Sequence, residues 1–165
     1  MAELSNIEHP FEPIYDADST ILILGTMPSV QSRKAGFYYA NPRNSFWRII
    51  AHICDAPVPM TDDEKKQLLY KNHIAIWDVC KSCDIRNSDD NSIRNTVSTD
   101  IPSLIKKTKI KRIYANSQKA AKQYDRFVKK YTGIEIVTLP STSPAYCSVT
   151  EEYKMQEWKK LIELD

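Results

Sequence analysis

Four short polar segments hold the side chains of this 165-residue chain that could do chemistry. The first, Gly25-Thr26-Met27-Pro28-Ser29, follows an apolar run, and a glycine there lets another group approach the backbone closely. The second runs from Gly36-Phe37-Tyr38-Tyr39 through Ala40-Asn41-Pro42-Arg43-Asn44 to Ser45-Phe46-Trp47. Its rings offer stacking surfaces beside a predicted helix start, whose free amides favour an anion or a polar ligand. The third is Asn116-Ser117, an amide side chain at the end of another apolar run. The fourth, Leu139-Pro140-Ser141-Thr142-Ser143-Pro144-Ala145-Tyr146, is rich in hydroxyls and stiffened by two prolines, as suits a loop that holds phosphates. Residues 77–90, also polar, read as a long surface loop.

The elements that must position these segments follow from punctuation and periodicity. Residues 20–24, 74–79, 112–115 and 134–139 are short, apolar and partly β-branched, the pattern of buried parallel strands. Asn41 is placed to cap a helix beginning at Pro42, and Thr61-Asp62-Asp63-Glu64 is a capping box leading to Leu68 and Leu69. A third helix is predicted after Ser117, with Ala120, Tyr124, Phe127, Val128 and Tyr131 on one face and Gly133 as its left-handed terminator. Thr150 opens a last helix that buries Met155, Trp158 and Ile162. Strand–helix alternation with right-handed crossovers gives an α/β fold, a three-layer α/β/α sandwich around a four-stranded parallel sheet. In such a sheet the ligand site lies beyond the C-terminal strand ends, where the four segments fall.

Composition sets the frame. At 42% hydrophobic, the chain can build a core without disulfides or metals, so residues 1–165 are expected to form a single domain. No apolar run approaches the length of a membrane span, and a cytoplasmic, monomeric protein is the expectation. Cys54, Cys80, Cys83 and Cys147 include a single Cys-x-x-Cys without two further matching ligands, so neither a metal nor a cofactor is expected. The net charge of +2 is uneven. Residues 1–100 hold 10 basic and 14 acidic side chains, whereas residues 101–165 hold 13 and 7. The basic C-terminal part permits a nucleic-acid partner.

Taken together, the segments resemble the uracil-DNA glycosylase superfamily, most closely its hypoxanthine-DNA glycosylase branch, over residues 21–158. Gly25-Thr26-Met27-Pro28 looks like that superfamily's first motif, Tyr39 to Trp47 its aromatic-Pro-Asn-Phe-Trp stretch, and Leu139 to Ala145 its second motif. Three positions depart from the pattern. Met27 stands where uracil-specific members carry aspartate or asparagine, Ser141 where other branches have histidine or asparagine, and Tyr146 where the hypoxanthine branch has a smaller polar residue. No cysteine precedes Cys54, so the cluster-free branches fit better than the iron-sulfur ones.

The resemblance implies a base-excision repair enzyme that flips a deaminated base, hypoxanthine first, out of DNA and hydrolyses its glycosidic bond. It implies Asn44 as the catalytic residue orienting water, since Met27 cannot hold it. Tyr39 would stack on the base, with Phe37 or Tyr38 helping, while Asn116 reads its edge and the Gly25-Thr26 backbone approaches its carbonyl. Pro28, Ser29, Ser141, Ser143, Pro144, Ala145 and Tyr146 would contact DNA. Two alternatives stay open: a uracil- or mismatch-directed glycosylase, and a non-catalytic nucleic-acid-binding module that keeps the fold.

Overall fold

In a computed structural model that describes residues 3–163, every strand of the expected parallel sheet is present, and a second sheet joins it. The chain runs through β1 (Ser5–Glu8), β2 (Ile21–Gly25), α1 (Val30–Ala35), α2 (Phe46–Ile53) and α3 (Asp62–Lys71). It continues through β3 (Ile74–Asp78), β4 (Cys80–Arg86), β5 (Asp89–Ser98), α4 (Ile101–Lys106) and β6 (Arg112–Ala115). Then come α5 (Gln118–Phe127), α6 (Lys129–Thr132), β7 (Ile136–Thr138), α7 (Glu151–Trp158) and a 3-10 turn at Lys159–Leu161.

The parallel sheet has the order β3-β2-β6-β7. Its central strand shows why the apolar runs are continuous. Ile21 and Ile23 enter one core cluster with Phe46, Leu69 and Trp158, whereas Leu22 and Leu24 enter another with Leu104, Ile113 and Tyr124. Alternate side chains thus face opposite helical layers, α2, α3 and α7 on one side and α4 and α5 on the other. Fully burying a side chain the size of Phe46 is worth roughly 1.5–3 kcal/mol. These layers are the α/β/α sandwich read from the sequence.

Residues 77–90 are not a loop. β4 and β5 form an antiparallel hairpin around Asn87 and Ser88, and β1 pairs with β4 to make a three-stranded sheet, β1-β4-β5. Its core is Met27, Cys80, Cys83, Ile85 and Ile93, with Ile7 packed against it. Register shifts between Cys80 and Ser82, Ser82 and Asp84, and Asp84 and Arg86 break the two-residue alternation that marks a strand in sequence.

Three helix expectations change. α2 begins at Phe46 rather than Pro42, because Asn41 Oδ1 accepts from Arg43 N, Asn44 Oδ1 accepts from Phe46 N, and Ser45 N donates to Thr142 O. The helix after Ser117 breaks at Val128 into α5 and α6; Gly133, with φ of 70°, terminates α6 as expected. The break turns Tyr131 outward, to 66% exposure, while Val128 is buried. At the C-terminus Trp158 is fully buried, but Ile162 lies beyond α7 and is exposed.

Candidate active site

β2, β3 and β6 end side by side, Gly25 paired with Asp78 and Leu24 with Ala115, so the residues just past them form one rim. Val79 N and Cys80 N donate to Gly25 O and Thr26 O at 2.9 and 3.0 Å. The carbonyls of this turn are therefore used, while the Thr26 N–H donates to none of the described residues. A Cβ on Gly25 would collide with Asp78 Oδ1 and stand 3.3 Å from the Tyr39 hydroxyl. Glycine here makes room for the protein's own polar groups.

Tyr39 is held unusually. Its backbone φ of 52° lies in the left-handed region, costly for a bulky side chain, and its ring stacks on Phe46 with centroids 4.0 Å apart. The hydroxyl is buried and makes no hydrogen bond of good geometry, although the Asn116 amide lies close enough to act on it. Burial, followed by the charge of Asp78, raises its pKa and keeps it neutral.

A clasp closes the rim on the opposite side. Asn116 Nδ2 donates to Thr142 Oγ1 and Thr142 N donates to Asn116 Oδ1, both at 2.9 Å and both buried. The Thr142 carbonyl in turn accepts from Ser45 N at 3.0 Å, so β6, the entry to α2 and the 140s loop share one residue. Lys154, 6% exposed, donates from Nζ to Tyr146 O at 2.7 Å, and Trp158 Nε1 donates to Pro140 O at 2.8 Å. The loop is thereby fixed before any ligand arrives, which lowers the ordering cost of binding.

Two carboxyls complete the site. Asp78 Oδ2 lies 2.7 Å from His9 Nε2, with the side chains 5% and 3% exposed. Thr26 Oγ1 donates to Asp90 Oδ2 at 2.8 Å, and burial pushes the Asp90 carboxyl up to about 6. His9, Asp78, Asp90 and Thr142 were not singled out in the sequence. Asp78 had a signal, its place at the end of a strand; His9 and Asp90 reach the rim from the second sheet, which left no such trace.

The expected site residues are distributed as follows. Gly25, Thr26, Tyr39 and Asn116 meet at the rim. Asn44 is half-buried and precedes α2; its Oδ1 caps Phe46 N at 3.0 Å, while its Nδ2 donates to no described residue. Pro28 is buried, and Ser29 is the N-cap of α1, accepting from Ser32 N. Ser141 and Ser143 each accept a backbone N–H within their loop, which leaves both hydroxyl protons free to donate. Pro144 is half-buried and Ala145 and Tyr146 are exposed. A cavity of about 190 Å³ beside this loop is lined by Arg43, Ser143, Tyr146 and Lys154 among others. Phe37 and Tyr38 are buried in the core. Met27 points into the core of the second sheet, so its apolar character is structural.

The family model of the uracil DNA glycosylase superfamily matches residues 12–164. The chain belongs to that superfamily. It is 34% identical over 158 residues to a hypoxanthine DNA glycosylase of Methanosarcina acetivorans, covering 94% of this chain and 98% of that protein. A hypoxanthine DNA glycosylase of Methanosarcina barkeri is 31% identical over 86 residues, 52% of this chain and 54% of the relative. Among solved structures, the solution NMR structure of a candidate uracil DNA glycosylase from M. acetivorans superposes with a TM-score of 0.81 at 30% identity, covering 94% and 96% of the two chains. For a uracil DNA glycosylase superfamily member, the placement of Met27 accounts for one departure from the family pattern. The first motif gives its polar position to the second sheet's core.

Proposed function

We propose that this chain is a DNA glycosylase that removes hypoxanthine, the deaminated form of adenine, by hydrolysing its bond to deoxyribose. One observation carries the reading: a strained Tyr39 stacked on Phe46, with its hydroxyl unpartnered, at a rim where Thr26 N–H is free and Asn116 is fixed. The names of the Methanosarcina relatives supply the base.

Chemistry on a paired base requires taking it out of the stack, at a cost of a few kcal/mol that is smallest for damaged or mispaired bases. Tyr39 has one face against Phe46, and its other face takes the flipped base, a contact worth about 1–3 kcal/mol. As the glycosidic bond breaks, the sugar becomes cationic and the base anionic. Fixed neutral donors suit that change: the Thr26 N–H for the base carbonyl, Asn116 for the ring edge. Asn44 orients the attacking water through its uncommitted Nδ2. The hydroxyls of Ser141 and Ser143 and the cavity beside Arg43 and Lys154 receive the phosphates of DNA carrying the deaminated base.

The test is excision from matched oligonucleotides containing hypoxanthine, uracil or a thymine mispair, scored as alkali-labile sites. Release of hypoxanthine in preference to the others is the expected result. Release of uracil alone would move the substrate to the pyrimidine branch, and DNA binding without release of any base would reduce the chain to a binding module.

A further inference from the structure

The neutral donors described above leave one carboxyl at the rim unused. Asp90 stands at the start of β5, just past the Asn87–Ser88 turn, and reaches the first motif from the second sheet. Thr26 Oγ1 donates to its Oδ2 at 2.8 Å, while Oδ1 accepts no hydrogen bond from any described residue. Asp78 differs, because its Oδ2 is committed to His9 and its Oδ1 packs over Gly25. Met27, beside Thr26, is turned into the second sheet's core and can hold no water.

We propose that Asp90 is a catalytic residue of this site, its Oδ1 accepting a proton from the attacking water while its charge offsets the cationic sugar. This rests on the glycosylase reading above. The water oxygen bonds to C1′ of the deoxyribose, and the bond from C1′ to the base nitrogen breaks with its electron pair leaving on the base. The water proton passes to Asp90 Oδ1. The base anion, held by the neutral donors, takes a proton from solvent, and Asp90 returns its own to solvent. One water is consumed, and a free base and an abasic sugar are formed.

The surroundings tune the group for this task. Burial raises its pKa most, Thr26 opposes through its hydrogen bond, Asp78 at the end of β3 and Asp89 on β5 add to the rise, and Lys119 on α5 opposes it. The Cys83 thiol of β4 and the Tyr39 hydroxyl also feel its charge. With a value pushed up to about 6, Asp90 is ionised at neutral pH yet basic enough to take a proton as water attacks.

The experiment is single-turnover release of hypoxanthine from a labelled duplex, from about pH 5 to about pH 8.5, by the wild type, Asp90→Asn and the control Asp89→Asn. Asparagine at 90 keeps the acceptor for Thr26. The expected result is a wild-type rate that rises through about pH 6 and levels off, and a loss of about 100-fold or more in Asp90→Asn together with that limb. Asp89→Asn keeps the wild-type plateau rate and an acidic limb, displaced slightly to lower pH because the Asp89 charge adds to the rise at Asp90. Asp90→Asn should bind uncleavable hypoxanthine DNA as tightly as the wild type or more so. A rate within about threefold of wild type, an acidic limb that persists in Asp90→Asn, or a loss that follows weaker DNA binding would each overturn the role. If the wild type releases hypoxanthine and Asp90→Asn does so equally, this inference alone falls. If the wild type releases no base, the glycosylase reading falls with it.

Discussion

The loop after β7 and the segment after β3 are both polar and both follow parallel strands, yet they serve the site in opposite ways. Residues 139–146 stay a loop, pinned to the rim through Thr142, Lys154 and Trp158. Residues 80–98 fold into a hairpin with a core of its own, around Cys80, Cys83, Ile85 and Ile93, and deliver a single carboxyl to the first motif. The loop takes its shape from the parallel sheet; the hairpin brings its shape with it. Gly25 and Thr26 are where the two contributions meet.

Gly25→Ala breaks both at once, because its methyl displaces Asp78 and presses on the Tyr39 hydroxyl. Overpacking of this kind costs about 1–3 kcal/mol, read as a lower denaturation midpoint, and hypoxanthine release should fall by about 100-fold or more. Asp90 tests the hairpin side through stability. Its pKa is raised in the folded state, so the fold binds the extra proton and stability falls as pH rises from the ordinary carboxylate range to about 6. The loss is about 3 kcal/mol, and denaturant titrations of Asp90→Asn across that range should lack it. Thr142→Val tests the loop side. It leaves Asn116 Nδ2 without its acceptor, costs about 1 kcal/mol in the same titrations, and should slow excision while leaving the pH profile unchanged. Arg48→Ala, which removes an exposed ion pair with Glu151 between α2 and α7, should cost below about 1 kcal/mol and leave excision untouched.

How much was legible in the sequence follows the same division. The four parallel strands are buried on both faces, so each is a continuous apolar run, and 112–115 coincides with Arg112–Ala115. Where such a run ends, the rim begins, which is why Gly25, Thr26 and Asn116 could be marked from the sequence. The Asn41-Pro42 start was a sound local signal, overridden by two successive asparagine turns and by the tie of Ser45 to Thr142, 97 residues away. β4 and β5 were illegible because three register shifts destroy their alternation. With them went Asp90, whose position depends on hairpin register, and His9, which reaches Asp78 from 69 residues away through β1. Side chains placed by long-range pairing leave no local pattern.

The central claim is that rim and hairpin form one catalytic site acting on one water. Single-turnover hypoxanthine release by Asn44→Ala, Asp90→Asn and the double variant tests it most directly. Each single variant should lose about 100-fold or more, and the double variant should lose no more than the worse single one, as expected for residues that act as a unit. A double variant whose loss is the product of the two, or a single variant that keeps the wild-type rate, would contradict it.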